Sequence, residues 1–175
     1  MPVSHRRSGM VHRSPALRRR TAWATSQNTP NSLAAGTKTS QDLLSGFEVA
    51  GASTLGITVG RTHTRLFASF STTDTGPGFY AGWIRLTAAL AGANVPDPAN
   101  TTQQEDDWSL ISLYGPGNSI STTISGTSEL CGWDIDIRSK RKLTQMGDKY
   151  FFVISNVGSA SFNWSQFTRV LCYLP

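Results

Sequence analysis

Trp133-Asp134-Ile135-Asp136-Ile137-Arg138 places every apolar residue at an odd position and every charged residue at an even one. Successive side chains of an extended strand point to opposite faces, so this stretch reads as a strand with one face on a core and the other in solvent. A few residues on, Tyr150-Phe151-Phe152-Val153-Ile154 is apolar at every position. Such a strand needs cover on both faces: the opposing sheet on one, and a neighbouring subunit or a loop on the other.

The same texture extends outward in both directions. Short segments rich in Trp, Phe, Ile, Val and Thr alternate with clusters of Gly, Pro, Asn and Asp, which is the pattern of an all-β sandwich or barrel. The predicted strands are Thr21–Ser26, Lys38–Leu44, Leu55–Ser71, Tyr80–Leu90, Trp108–Tyr114, Ser119–Ser125, Trp133–Leu143, Lys149–Val157 and Phe162–Leu174. Within Leu55–Ser71 the apolar phase changes, from odd at Leu55, Ile57 and Val59 to even at Leu66, Ala68 and Phe70. A bulge or kink between Gly60 and Thr64 accounts for that change. Ser40–Ala50 and Leu86–Ala93 are the only passages that read as short helices, and both also read as strand ends and turns. Gly76-Pro77-Gly78 and Gly115-Pro116-Gly117 mark turns, and Gly92–Glu105 is a long polar connection of the kind that lies on an exposed or functional surface.

The 175 residues are enough for one domain of ordinary size. Charge divides the chain unevenly. Residues 1–41 carry seven basic side chains (Arg6, Arg7, Arg13, Arg18, Arg19, Arg20 and Lys38) and no acid, whereas residues 42–175 carry nine basic and eleven acidic ones, a net of −2. The first twenty residues, MPVSHRRSGMVHRSPALRRR, have too few apolar side chains to offset the entropy of ordering, so a disordered basic arm is expected over 1–20 and a folded domain over 21–175. Arginine forms charge-assisted hydrogen bonds to phosphate, and a flexible arm can follow a nucleic-acid backbone without fixed geometry. Arg6, Arg7, Arg13, Arg18, Arg19 and Arg20 are therefore the candidate nucleic-acid-binding residues. An Arg-rich, acid-poor transit peptide is the competing reading of the arm; the prolines that interrupt a helix and the placement of Arg18-Arg19-Arg20 against the folded domain favour nucleic acid. Arg138, Lys140, Arg141 and Lys142 form a second basic group at a strand end: a solvated terminus, a continuation of the phosphate-binding surface, or a contact with an acidic loop of another subunit.

Catalytic and metal-binding patterns give little. GxSxG, GxxxxGK[ST] and HExxH are absent from the sequence, and so is a dinucleotide-binding glycine spacing. Of the three histidines only His63 lies in the domain, among Arg61, Thr62, Thr64 and Arg65, where a structural role is favoured over a catalytic base. Glu105-Asp106-Asp107 could contribute hard oxygen ligands to a cation, but adjacent strand residues face opposite ways, and a solvated loop end explains them more simply. Asp134 and Asp136 share a face with Arg138, Lys140 and Lys142, which reads as an exposed charge ladder. Cys131 and Cys172 read as buried free thiols. No stretch is a candidate membrane-spanning helix or secretory signal. Catalytic residues, cofactors and metals are accordingly expected to be none, and no membrane partner is expected.

An Arg-rich arm running directly into a Gly-, Thr- and Ser-rich β-domain without a catalytic constellation resembles the coat proteins of small icosahedral viruses. Thr39-Ser40-Gln41-Asp42-Leu43-Leu44 and Asp136-Ile137-Arg138-Ser139-Lys140-Arg141-Lys142-Leu143 are similar to stretches of small viral structural proteins. The resemblance implies a single jelly-roll β-sandwich of about eight strands. It also implies self-assembly into an icosahedral shell and residence in the virion, with the arm on packaged single-stranded nucleic acid, DNA in preference to RNA. Two other readings fit the sequence. One is an accessory virion β-sandwich of the decoration or fibre type. The other is a carbohydrate-binding β-sandwich that uses exposed Trp83, Trp108 or Trp164, with sequons at Asn100 and Asn163.

Overall fold

The computed structural model describes residues 20–49, 54–87, 95–100 and 107–175. Among them are ten strands: β1 (Thr21–Gln27), β2 (Asn31–Leu33), β3 (Lys38–Asp42), β4 (Thr58–Ser71), β5 (Phe79–Leu86), β6 (Trp108–Tyr114), β7 (Ser121–Ser125), β8 (Ser128–Lys142), β9 (Lys149–Asn156) and β10 (Phe162–Tyr173). A single turn of helix, α1 (Ser45–Val49), follows β3.

The pairing is antiparallel and nested. β5 pairs with β6, β4 with β8, β3 with β9 and β1 with β10, so the chain forms one long hairpin whose arms pair from the middle outwards. Pairing of β4 with β10 and of β5 with β9 then rolls that hairpin into two sheets. Sheet A has the order β1-β10-β4-β8-β7, with β2 also on β10, and sheet B has the order β3-β9-β5-β6. This connectivity is that of a jelly roll, two Greek keys closed face to face. β7 is an additional edge strand, folded back on β8 through a two-residue turn between Ser125 and Ser128.

The expected strands correspond to nine of these ten, with ends that differ by a few residues. β8 begins earlier than expected, at Ser128, because the hairpin with β7 carries the ladder past Trp133. β2 was not expected: three residues with one apolar side chain carry no periodic signal. Of the two expected helical passages, Ser40–Ala50 holds the end of β3 and then α1, which starts where Asp42 Oδ1 accepts the Leu44 N–H at 2.9 Å. In Leu86–Ala93, Leu86 closes β5, and residues 88–93 lie outside the described residues.

The bulge expected near Gly60 is present. Register shifts on both sides of β4, between Val59 and Arg61 against β8 and opposite Val170 and Cys172 of β10. A β-carbon on Gly60 would lie 2.5 Å from the Tyr173 ring, so a larger residue would displace that ring. The bulge brings Val59 and Thr62 both onto the inner face, and Arg61, His63 and Arg65 onto the outer one.

Inner faces of the two sheets meet in an aromatic-rich core. Phe79 of β5 stacks on Tyr114 and Phe162 with centroids 5.7 and 5.3 Å apart, and meets Trp133 edge-on at 5.3 Å. Such contacts add roughly 0.5–1.5 kcal/mol each to the burial of the rings. Farther along the sandwich the packing turns polar. Trp83 Nε1 donates to Thr64 Oγ1 at 3.2 Å, the Thr64 and Thr168 hydroxyls are 2.9 Å apart, and Thr168 Oγ1 donates to Gln166 Oε1. Gln166 Nε2 continues to Gln41 Oε1 at 2.6 Å, and Gln41 Nε2 reaches Ser26 Oγ at 2.7 Å. This chain links β5 and β3 of sheet B to β4, β10 and β1 of sheet A, and it satisfies polar groups that would otherwise be costly to bury.

β9 is buried along its length, as expected for an all-apolar strand. Its outer-face side chains Phe151 and Val153 join Ile84, Leu86, Trp108 and Val95 in a second apolar cluster outside the sandwich. The cover is therefore supplied from within the chain, by β6 and the segment at Val95, to whose carbonyl Lys38 Nζ donates at 2.5 Å.

Candidate nucleic-acid interface

Arg6, Arg7, Arg13, Arg18 and Arg19 lie outside the described residues. Arg20 is described and exposed, and its carbonyl accepts the Leu174 N–H at 2.8 Å, which fixes the point from which the arm leaves the sandwich. Cross-strand register continues from that point. Thr21 pairs with Tyr173, Tyr173 with Thr58, and Thr58 with Lys142. Neighbouring strands are about 4.8 Å apart, so the arm's root and Lys142 lie at one end of sheet A, about 14 Å from each other, with Arg138 and Lys140 following along β8.

The second basic group divides. Arg138, Lys140 and Lys142 are exposed on the outer face of sheet A, whereas Arg141 turns inward and donates from Nη2 to the Trp108 carbonyl at 2.5 Å. β8 carries one residue more than β4 between the Val59–Arg141 and Arg61–Arg138 pairs, and Lys140 takes φ 50 there. Sequence spacing alone would not separate Arg141 from its neighbours, because the irregularity is set by pairing with the bulged β4.

Asp134 and Asp136 form the ladder expected of them, with partners across the strand pair. Arg61 chelates Asp136 through Nε and Nη2, and Asp134 meets His63 Nε2 and, at 3.9 Å, Arg65 Nε. The Arg61 hydrogen bonds hold the Asp136 carboxyl below the usual carboxylate range, and Asp136 in turn raises the Arg61 guanidinium. His63 is thus a member of a charge ladder on an open sheet face.

The outer face of sheet A carries Arg61, Arg65, Arg138, Lys140, Lys142 and Arg169 against Asp134 and Asp136, a balance of +4. Residues 42–175 total −2, so this face is positive on a stretch that is negative in total. Sequence reasoning missed three aromatics on the same face. Trp23 is 49% exposed with the Arg169 guanidinium 4.9 Å from its ring centroid, and Phe67 and Phe167 are 42% and 39% exposed. A groove on this face is lined by Pro30 of the β1–β2 connection, Phe67 of β4 and Ser165 and Phe167 of β10. The available signal was parity, since Phe67 shares odd numbering with Arg61, His63 and Arg65 on one strand.

Other candidate residues have structural explanations. Trp83, Trp108 and Trp164 are buried, which corrects the reading of them as exposed glycan platforms: their indoles are occupied by the two apolar clusters. Asp107 pairs with Arg85 at 2.8 Å, and Glu105 and Asp106 lie outside the described residues. Cys131 and Cys172 are free and buried, and burial pushes the Cys172 thiol up to about 12. Among the described residues no three His, Cys, Asp or Glu side chains gather to hold a metal ion, and no helix is long and apolar enough to cross a membrane. Asp148, which sequence reasoning passed over, organises the β8–β9 turn: its Oδ2 accepts the N–H groups of Thr144 and Gln145 at 2.8 and 3.0 Å.

No family model matches the chain and no curated protein matches it. Among solved structures, it is similar to the cyanophage Pam1 capsid asymmetric unit, at 10% identity and a TM-score of 0.40, over 100% of both chains. It is also similar to the structure of infectious bursal disease virus, Gx strain, at 12% identity and a TM-score of 0.38, over 88% of this chain and 32% of that one. Likenesses this distant leave the reading of function to the chain's own residues.

Proposed function

We propose that this chain is a structural capsid protein, not an enzyme, that assembles with copies of itself into an icosahedral shell and neutralises packaged single-stranded nucleic acid through its basic arm. The observation that carries the reading is the joining of the two parts. Seven cations without an acid precede Asp42, and the arm leaves a jelly roll at the end of sheet A that also presents Lys142, with Lys140 and Arg138 following along β8. Phosphate neutralisation needs charge density rather than a shaped pocket, and counterion release supplies the driving force. Self-association has a natural site in β7, an edge strand with all five residues exposed, Ile124 among them at 68%. An open, partly apolar edge of that kind is a liability that burial against another subunit removes. DNA is favoured over RNA only by the family resemblance, since phosphate contacts do not separate the two sugars.

Negative-stain microscopy of the full-length protein beside a version lacking residues 1–20, with absorbance at 260 and 280 nm, tests the proposal. Uniform closed particles whose nucleic-acid signal disappears with the arm are the expected result. Monomers or small oligomers in both samples would overturn the self-assembling shell.

A further inference from the structure

We infer that the outer face of sheet A is itself a binding surface for single-stranded nucleic acid, on which Trp23, Phe67 and Phe167 stack bases while the surrounding cations track the phosphates. This rests on the proposed nucleic-acid role and extends it from the arm to the folded domain. Three observations converge on it. The face carries +4 on a stretch that is negative in total, so its charge complements a polyanion. Large aromatic side chains are normally buried, yet three are exposed on this one face, flanked by Arg65 and Arg169. Trp23 already holds a guanidinium over its ring, an arrangement in which a base can take the Arg169 position or stack on the guanidinium plane.

Register gives the layout. Gln27, Phe167, Arg65 and Asp134 lie in one cross-strand row, and Ser165, Phe67 and Gly132 in the next. Phe167 and Phe67 are therefore diagonal neighbours, about 7 Å apart by the spacing of such pairs, and a single strand unstacked over that interval can place successive bases on both. Stacking of this kind is tolerant of sequence, because every base has a π-face.

The fold supplies its own reporter. Trp83, Trp108, Trp133 and Trp164 are buried, so the exposed tryptophan emission belongs to Trp23. Full-length protein is titrated at low salt with a fluorophore-labelled oligothymidylate of about 20 nucleotides, following anisotropy and red-edge tryptophan emission together. Saturating oligonucleotide is expected to quench the Trp23 emission. The combined Trp23→Ala, Phe67→Ala and Phe167→Ala variant should bind at least about a hundredfold more weakly, since three base-stacking platforms are lost together. Phe67→Ser alone, with a thermal midpoint unchanged, should also weaken binding and guards against loss of fold. A chain with Arg6, Arg7, Arg13, Arg18, Arg19 and Arg20 replaced by Gln should bind more weakly yet still quench at saturation. Binding with unaltered Trp23 emission and unaltered affinity in the aromatic variants would overturn this inference and leave the arm's role standing. No binding by the full-length chain would overturn both. Quenching that follows protein concentration without oligonucleotide would assign the face to a second copy instead, which also overturns it.

Discussion

On the outer face of each sheet an aromatic ring lies over a glycine: Trp108 over Gly82 of β5, and Phe67 over Gly132 of β8. Trp108 is buried, packed with Ile84, Leu86, Val95, Phe151 and Val153, whereas Phe67 is 42% exposed beside the likewise exposed Leu130 and Phe167. One sandwich therefore treats its two outer surfaces in opposite ways. Sheet B is closed by its own chain and behaves as a three-layer region. Among the described residues nothing covers the outer face of sheet A, and its exposed aromatics contribute little to folding, which leaves them available for binding.

Identical substitutions on the two faces give the largest separation. Trp108→Ala is expected to cost about 3–5 kcal/mol, the range for removing a buried Trp or Phe side chain, because the second apolar cluster loses its largest member. Phe67→Ala should change stability by less than about 1 kcal/mol, as surface substitutions do. Urea unfolding of both variants checks this, and comparable losses would show that the outer face of sheet A is stabilising in its own right. The glycines form a second, smaller pair. A β-carbon on Gly82 would lie 2.3 Å from the Trp108 ring, with no free space for the ring to move into, so Gly82→Ala should cost about 1–3 kcal/mol as overpacking does. At Gly132 the nearest atom is Ser121 Oγ at 2.6 Å, followed by the Phe67 ring at 3.2 Å. Both belong to side chains that can swing into solvent, so Gly132→Ala should cost less than Gly82→Ala, with a shift in thermal midpoint that ranks the two.

The same contrast decides how much the sequence revealed. β8 and β4 alternate because one of their faces is wet, and their strands, the bulge and the charge ladder were all legible from residue parity. β9 and the end of β5 are apolar on both faces, so parity said that cover was needed but not what would supply it. Only the fold shows that Trp108 and Val95 do so. Gln166 and Thr168 sit on the even, inward positions of β10 between Trp164 and Val170, a visible break in an apolar face, yet their partners Gln41, Thr64 and Ser26 are distant in sequence. Arg141 was grouped with Arg138, Lys140 and Lys142 because nothing local announces the irregularity at Lys140.

pH separates the interior from the open face. Burial raises the Cys172 thiol from 9.0 to about 12 and raises the Tyr150 hydroxyl as well. A group with a folded-state pKa above its unfolded value contributes stability below the unfolded pKa and loses it as pH rises towards the folded one. Stability should therefore fall between about pH 9 and pH 12, and Cys172→Ala should flatten part of that alkaline limb. Thiol titration with an aromatic disulfide should label neither Cys131 nor Cys172 in the native protein and both after unfolding. Rapid native labelling would mean that the sandwich opens at β10 or β8.

Asp136 gives the smallest effect on stability and the most informative one on binding. Its carboxyl is held low by Arg61, so whatever the ladder contributes is present above the unfolded carboxylate pKa and lost as pH falls through the folded one. Both partners are exposed, and exposed pairs are screened and weak, so Asp136→Asn should leave the thermal midpoint at neutral pH almost unmoved and flatten only the acid limb. A clear drop at neutral pH would mean that the ladder, rather than the buried faces, fixes the β4–β8 register. The same substitution takes the face from +4 to +5. Oligothymidylate binding should then tighten at low salt and the gain should shrink as salt is raised, because screening and counterion release act on charge and not on stacking. The quench of Trp23 at saturation should be unchanged by Asp136→Asn, which separates the electrostatic part of the open face from its aromatic part.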